Sequence, residues 1–230
     1  MPLFEIMNFS AEFLPNSHVP RTSVDDIIRK ASKALEGVQE QKHFALGTQI
    51  KNKGTVQITS EWHGIKDYKN LEDTLEYSSF TNSVRTLCGK PDDIFHAILS
   101  RSAFGPNGLA TAPIVEFVQS YFPASHVTSE FQKQIEEDFV RFDGIYQKGV
   151  KGEIGLAYGW VLEEQGHEGI EGEKAKCFLV ARGWESMECF EKSVQNDAYE
   201  EAIPILFEWN APWKLWHVEQ KVSNDIEAAA

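Results

Sequence analysis

Positive charge is scarce in this chain. Its 230 residues carry 22 Lys and Arg against 35 Asp and Glu, a formal net charge of −13. Nucleic-acid binding needs a basic surface and is not expected. Electrostatic docking on an anionic membrane is equally disfavoured. Cysteine is scarce too. Cys88, Cys177 and Cys189 are odd in number and widely spaced, so they suggest neither a disulfide framework nor a Cys-x-x-Cys metal pair. They read as small buried thiols, and a reducing cytosol is the simplest compartment. No apolar run approaches the ~18–20 residues of a membrane helix. The start, Met1-Pro2-Leu3-Phe4-Glu5-Ile6, lacks the basic and apolar regions of a secretory signal. Dinucleotide-binding, Walker-type, His-Glu-x-x-His and Gly-x-Ser-x-Gly motifs are missing, and the histidines lack metal-ligand spacing. Nucleotide, metalloprotease and serine-hydrolase chemistry therefore has no support; no metal and no cofactor are expected.

Apolar residues are plentiful. At 42% hydrophobic and 12% aromatic the chain can bury a sizeable core. Three motifs occur twice, in the same order. Pro-x-Ser-His-Val stands at Pro15, Ser17, His18 and Val19 and again at Pro123, Ser125, His126 and Val127, an offset of 108. Trp62, Tyr68 and Tyr77 recur as Trp184, Phe190 and Tyr199, an offset of 122. Pro91 and His96 recur as Pro212 and His217, an offset of 121. Three ordered matches point to an internal duplication. The jump in offset places an insertion in the second half, and the Gly- and Glu-rich stretch 165–173 is its candidate, an exposed loop. Phe104-Gly105-Pro106-Asn107-Gly108 carries linker punctuation. The expected units are 1–104, 109–222 and a disordered tail, 223–230.

Each half reads strand, helix, strand, strand, helix, strand. In the first half Leu3–Phe9 is a strand, and Val24–Val38 carries Ile27, Ile28, Ala31, Ala34, Leu35 and Val38 on one helical stripe. Phe44–Ile50 and Thr55–Trp62 flank the turn Asn52-Lys53-Gly54 as a hairpin. Asp67–Leu87 is the second helix and Ile94–Leu99 the last strand. In the second half Ile114–Phe122 is a strand. Ser129 and Gln132 make a capping box for a helix whose face holds Phe131, Ile135, Phe139 and Phe142. Ile154–Leu162 and Ala175–Ala181 are strands, Met187, Phe190 and Val194 mark a helix, and Trp213–Val218 closes the unit. This βαββαβ order is ferredoxin-like. One sheet face takes the helices; the other is apolar and needs a second sheet. Two units in one chain predict an intramolecular α+β barrel, packed sheet to sheet.

The stretches Trp62-His63-Gly64-Ile65-Lys66-Asp67-Tyr68 and Glu76-Tyr77-Ser78-Ser79-Phe80 resemble the third strand and second helix of antibiotic-biosynthesis-monooxygenase-like domains. Gly183-Trp184-Glu185-Ser186-Met187-Glu188 and Asp197-Ala198-Tyr199-Glu200-Glu201-Ala202 resemble them more closely still. The whole chain resembles a tandem, fungal-type version of that dimeric α+β-barrel superfamily. The resemblance implies a pocket between sheet and helices within one unit. It also implies chemistry drawn from cofactor-free quinol oxygenases, polyketide cyclases, decarboxylases, dehydratase-like enzymes and haem-using relatives. The His-Pro-x-x-His segment of plant polyketide cyclases has no counterpart at Tyr77-Ser78-Ser79 or Asp197-Ala198-Tyr199.

Candidate acid–base residues are His217, Glu116, Tyr199, His96 and His126. The two strand histidines can shuttle a proton near neutral pH, or be structural repeats of one another. Glu116 sits inside Ile114-Val115-Glu116-Phe117-Val118, where burial would raise its pKa; turned to solvent it does nothing special. Its counterpart at the 108 offset is Asn8, which suggests that the second half alone keeps an active pocket. His126 and its counterpart His18 follow a strand, where function and simple turn-fixing compete. Tyr199, like Tyr77, can donate to a carbonyl or pack on the sheet. Trp184, Trp216, Phe117, Tyr158 and Phe190 are the candidate substrate-binding walls. The expected function is a cofactor-independent enzyme acting on a small hydrophobic polyketide or aromatic metabolite by cyclisation, dehydration or decarboxylation. The alternatives are a cofactor-free quinol monooxygenase, a haem protein with His217 or His96 as axial ligand, and a non-catalytic ligand-binding or stress-responsive barrel. A cytoplasmic monomer or homodimer is expected.

Overall fold

The computed structural model describes residues 3–10, 43–62, 78, 82, 91–105 and 108–225. Eight strands run β1 (Leu3–Ser10), β2 (His43–Gln49), β3 (Thr55–Trp62), β4 (Asp93–Leu99), β5 (Ile114–Pro123), β6 (Glu153–Val161), β7 (Ala175–Trp184) and β8 (Trp213–Asp225). The described helices are α1 (Ser129–Tyr146), α2 (Met187–Ser193), α3 (Asp197–Ala202) and α4 (Pro204–Phe207). The predicted helix 24–38 lies outside the described residues. Within 67–87 only Ser78 and Asn82 are described, and both are helical.

The strands form one closed antiparallel barrel in the order β1-β3-β2-β8-β5-β7-β6-β4. The order β4-β1-β3-β2 in the first half repeats as β8-β5-β7-β6 in the second. The two sheets therefore do more than face one another: they are hydrogen-bonded at both edges. Strand alternation sorts the side chains. Phe4, Ile6, Phe95, Ala97, Val115, Phe117, Tyr121, Leu179, Ala181, Trp216 and Val218 fill the interior. Ile114, Phe122, Phe178 and Trp184 point outward and meet Ile135, Phe139, Phe142 and Tyr146 of α1. This α1 face follows the expected helical stripe, but its cap lies one residue earlier than predicted. Thr128, not Ser129, is extended and accepts from the Phe131 N–H.

The two seams differ. β2 meets β8 over His43–Gln49, and β8 is long because its early part pairs with β5 and its later part with β2. It continues through Asp225, three residues into the predicted tail. β4 meets β6 only at Ala97–Leu99. At each seam a glycine admits the opposing strand. A Cβ on Gly47 would collide with the Glu219 carbonyl, and one on Gly159 with the Ile98 carbonyl. Ile98 and Glu219 differ by 121, the offset of His96 and His217.

Both barrel ends are stoppered. Ala103, Phe104, Leu109, Ala110 and Ala112 are buried in the interior cluster, so the segment predicted as a linker is partly a plug. At the other end the loop 162–174 is tied by the Gln165–Ala175 bridge. Its Ile170 packs on the interior cluster and its His167 ring lies 4.3 Å from that of Tyr121. This loop matches the predicted exposed insertion in place, but it is anchored. No described helix is long and apolar enough to cross a membrane.

Candidate functional site

A cavity of about 590 Å³ opens between the outer face of the β8-β5-β7 sheet and helices α1 to α4. That volume suits a small organic ligand. Its floor carries Glu116, Val118 and Ser120 of β5, Val180 and Arg182 of β7 and Leu215 of β8. Aromatic walls come from Phe139, Phe142 and Tyr146 of α1, Phe190 of α2, Tyr199 of α3 and Trp209. Caps place these walls. Ser186 accepts from the Cys189 N–H to start α2, and Asn196 accepts from the Tyr199 N–H to start α3. The Asn196 amide also donates to the Gly149 carbonyl, which ties α3 to the end of α1. Pro204 opens α4 at a position that lacks an N–H partner in any case.

Across the floor runs a polar row. Glu116 lies directly opposite His217 on β8 and Arg182 on β7. The Glu116 carboxyl accepts from the Trp184 indole N–H at 2.9 Å. Burial pushes its pKa up, and the Arg182 charge and the Trp184 hydrogen bond only partly oppose this. Arg182 is buried and pairs with Asp143 at 2.6 Å and with Glu153. Burial works against its charge, but Glu153 and Asp143 outweigh that and raise its pKa. Arg182 thus has its own counter-ions, Asp143 and Glu153, and its charge only partly offsets the burial that raises the Glu116 pKa.

Two phenols face the cavity. The Ser193 hydroxyl donates to the Phe190 carbonyl at 2.7 Å. The Tyr146 hydroxyl, 2.5 Å from Ser193, therefore donates to Ser193 and is spent on the fold. Tyr199 makes no side-chain hydrogen bond among the described residues. Burial and the neighbouring Glu116 raise its pKa, so it remains a proton-bearing donor. Among the polar residues of the lining, which also include Ser120, Arg182 and Asn210, Glu116 and Tyr199 are the candidates for proton transfer and hydrogen bonding to a ligand.

The other predicted residues are distributed more widely. Phe190 lines the cavity. Trp184 and Tyr158 are on the same sheet face but pack beneath it, Trp184 holding Glu116 and Tyr158 packing against Phe139 at 4.9 Å. Phe117 and Trp216 point into the barrel, stacked at 5.3 Å, with the Trp216 indole donating to Gln57. His126 is exposed in a turn after β5. His217 is buried behind Phe190, ring to ring at 4.3 Å, and its Nε2 has no hydrogen-bond partner. Burial, and to a lesser degree Lys51, pushes its pKa down to about 4. Tyr77 and His18 lie outside the described residues.

The first half carries a related row that sequence comparison misaligned. Glu5 lies opposite both His96 and Ser60, as Glu116 lies opposite His217 and Arg182. Glu5, not Asn8, is the structural counterpart of Glu116; Asn8 shares a strand face with Phe4 and Ile6, on the barrel side. The surrounding residues signal this, Leu-Phe-Glu-Ile-Met against Ile-Val-Glu-Phe-Val. The inferred charge difference between the halves therefore falls away, and the difference lies in the partners. His96 Nε2 is 2.9 Å from Glu5 and Nδ1 2.5 Å from Glu163. Burial opposes its charge, but the hydrogen bonds to Glu163 and Glu5 raise its pKa to about 9. Both ring nitrogens being engaged, His96 does not fit an axial haem ligand. His217, screened by Phe190 and not lining the cavity, does not present an open nitrogen there either. Among the described residues no group of three or more His, Cys, Asp or Glu could hold a metal ion.

Arg182 and Tyr146 were missed by sequence reasoning. Arg182 was legible as a charge at the strand position shared by Phe178, Val180 and Trp184; Tyr146 extends the α1 stripe by one turn.

No family profile matches the chain, and no curated protein matches it. Solved structures share the fold across its whole length. A proposed monooxygenase from Fusobacterium nucleatum aligns with a TM-score of 0.59 and 10% identity, over 98% of this chain and 94% of that one. An anthrone oxidase-like protein aligns at 0.59 and 12%, over 100% and 96%. A proposed monooxygenase from Lactobacillus acidophilus aligns at 0.56 and 10%, over 97% and 96%. At such identities the similarity is one of fold: an α+β protein built on an eight-stranded antiparallel barrel.

Proposed function

We propose that the cavity of the second half is the active site of a cofactor-independent enzyme acting on a small hydrophobic aromatic or polyketide metabolite. The observation that carries this reading is Glu116: a half-buried carboxyl, held by the Trp184 indole N–H and with its pKa raised, at the floor of an aromatic cavity. Such a group can give a proton to a substrate carbonyl and take one back as carboxylate. Tyr199 supplies a second hydrogen bond to the developing enolate. Cyclisation, dehydration and decarboxylation need only this equipment. The reading of two ferredoxin-like units from an ancient duplication is supported by the repeated strand order, the seam glycines and the Glu–His rows.

A second reading is favoured by the fold of the anthrone oxidase-like protein. Glu116, in its ionised form, would then take a proton from an anthrone or quinol. Molecular oxygen accepts the electrons, one oxygen atom entering the product and the other leaving as water. One experiment addresses both. Anthrone is incubated in deuterated buffer without oxygen and exchange at its methylene is followed by NMR. The native protein should accelerate exchange, and Glu116→Gln should lower that acceleration by about 100-fold or more. Oxygen uptake on readmitting air separates the oxygenase from the other chemistries. A native protein that does not accelerate exchange, or a fully active Glu116→Gln, removes the acid–base assignment.

A further inference from the structure

Among the described residues four large apolar side chains are exposed, and two of them, Phe207 at 66% and Trp213 at 61%, also line the cavity. A ring left in water forfeits the gain from burial, and both of these rings belong to the lining of one cavity while remaining largely in solvent. Phe207 ends α4 and Trp213 begins β8. Between them the chain turns through Asn210, whose φ of 45° is left-handed, a conformation Asn tolerates better than most residues. The turn brings Trp209, Ala211 and Pro212 onto the cavity wall as well. The lining thus runs, with Asn210 as a polar member, from floor residues such as Leu215 to side chains that are largely exposed to solvent.

We propose that the ligand of this cavity carries an apolar extension, an alkyl chain or a further ring, which leaves the cavity over Phe207 and Trp213, so that these two residues set the ligand length accepted. The proposal rests on the cavity reading above and adds the shape of the ligand: a hydrogen-bonding head at Glu116 and Tyr199, and an apolar tail at the mouth. The occupant follows from continuity, because the exposed rings are part of the cavity lining and not a separate patch.

The test is calorimetric titration with orcinol and olivetol, which share a resorcinol head and differ by four methylenes in the side chain. Native protein should bind olivetol roughly tenfold or more tightly than orcinol, even if the tail is only half buried. In the double variant Phe207→Ser with Trp213→Ser that ratio should fall to about threefold or less. Both positions are largely exposed, and thermal melting checks that the variant is folded. An unchanged ratio in the variant, or equal affinities in the native protein, overturns the proposal while leaving the cavity reading intact. Failure of native protein to bind either probe overturns the cavity reading and the proposal together. Sedimentation of the same samples covers the competing occupant: a native dimer dissolved by the double variant assigns the rings to a second copy of this chain and overturns the proposal.

Discussion

Two histidines at matching places in the barrel are held in opposite protonation states, and this has a measurable consequence. His96 is charged when folded, with its pKa raised from 6.5 to about 9. The stability it contributes is fully present below about pH 6.5 and is lost as the pH rises through 9. The shift corresponds to a loss on the order of 3 kcal/mol across that window. His217 is neutral when folded, with its pKa lowered to about 4. Below about pH 6.5 the unfolded chain takes up a proton that the folded chain refuses, so stability falls as the pH drops from 6.5 through 4. Urea denaturation across pH should therefore show two limbs. His96→Gln should flatten the alkaline limb and His217→Leu that part of the acid limb; limbs untouched by these changes would contradict the assignments. The sequence paired the two histidines correctly but could not distinguish them, because Glu163, which makes the difference, arrives from the far half through the loop after β6. Glu5 was legible from its apolar neighbours. It was misaligned because the spacing from strand to Pro-x-Ser-His-Val differs between the halves.

At the scale of elements, apolar segments of strand length and a period-3.6 stripe located the eight described strands and the buried face of α1, since burial writes itself directly into composition. The seams and the plugs were not legible. Strand pairing between halves is set by backbone geometry, and a glycine in a strand signals close approach without naming the partner. The narrow β4·β6 seam makes a sharp prediction. At Gly159 an added methyl meets the Ile98 carbonyl, whereas at Gly144 in α1 nothing lies within 4 Å. Gly159→Ala should destabilise by about 3 kcal/mol or more, at or beyond the upper end of overpacking. Gly144→Ala should stabilise by about 0.5–1 kcal/mol, as a helix gains from losing a glycine. Equal urea midpoints for the two variants would show that the seam is looser than described.

For the whole molecule, the described cavity lies on the outer surface of the closed barrel, between sheet and helices. In the second half that surface carries a cavity with Glu116 and Tyr199 turned to it. In the first half the corresponding carboxyl, Glu5, is committed to His96 and Ser60. Sequence reasoning based its expectation of a single active half on a comparison of Glu116 with Asn8, whereas the strand register makes Glu5 the counterpart of Glu116. It placed Phe117 and Trp216 as pocket walls because a single strand does not say which of its two apolar faces meets a second sheet and which meets helices. The most direct test is a crystal structure of the protein grown with orcinol. Density for the ring between α1, α3 and the β5–β7 floor, with a hydroxyl at Glu116 or Tyr199, is the expected result. Density inside the barrel, or against Glu5 and His96, would contradict the assignment of the second-half cavity as the functional site.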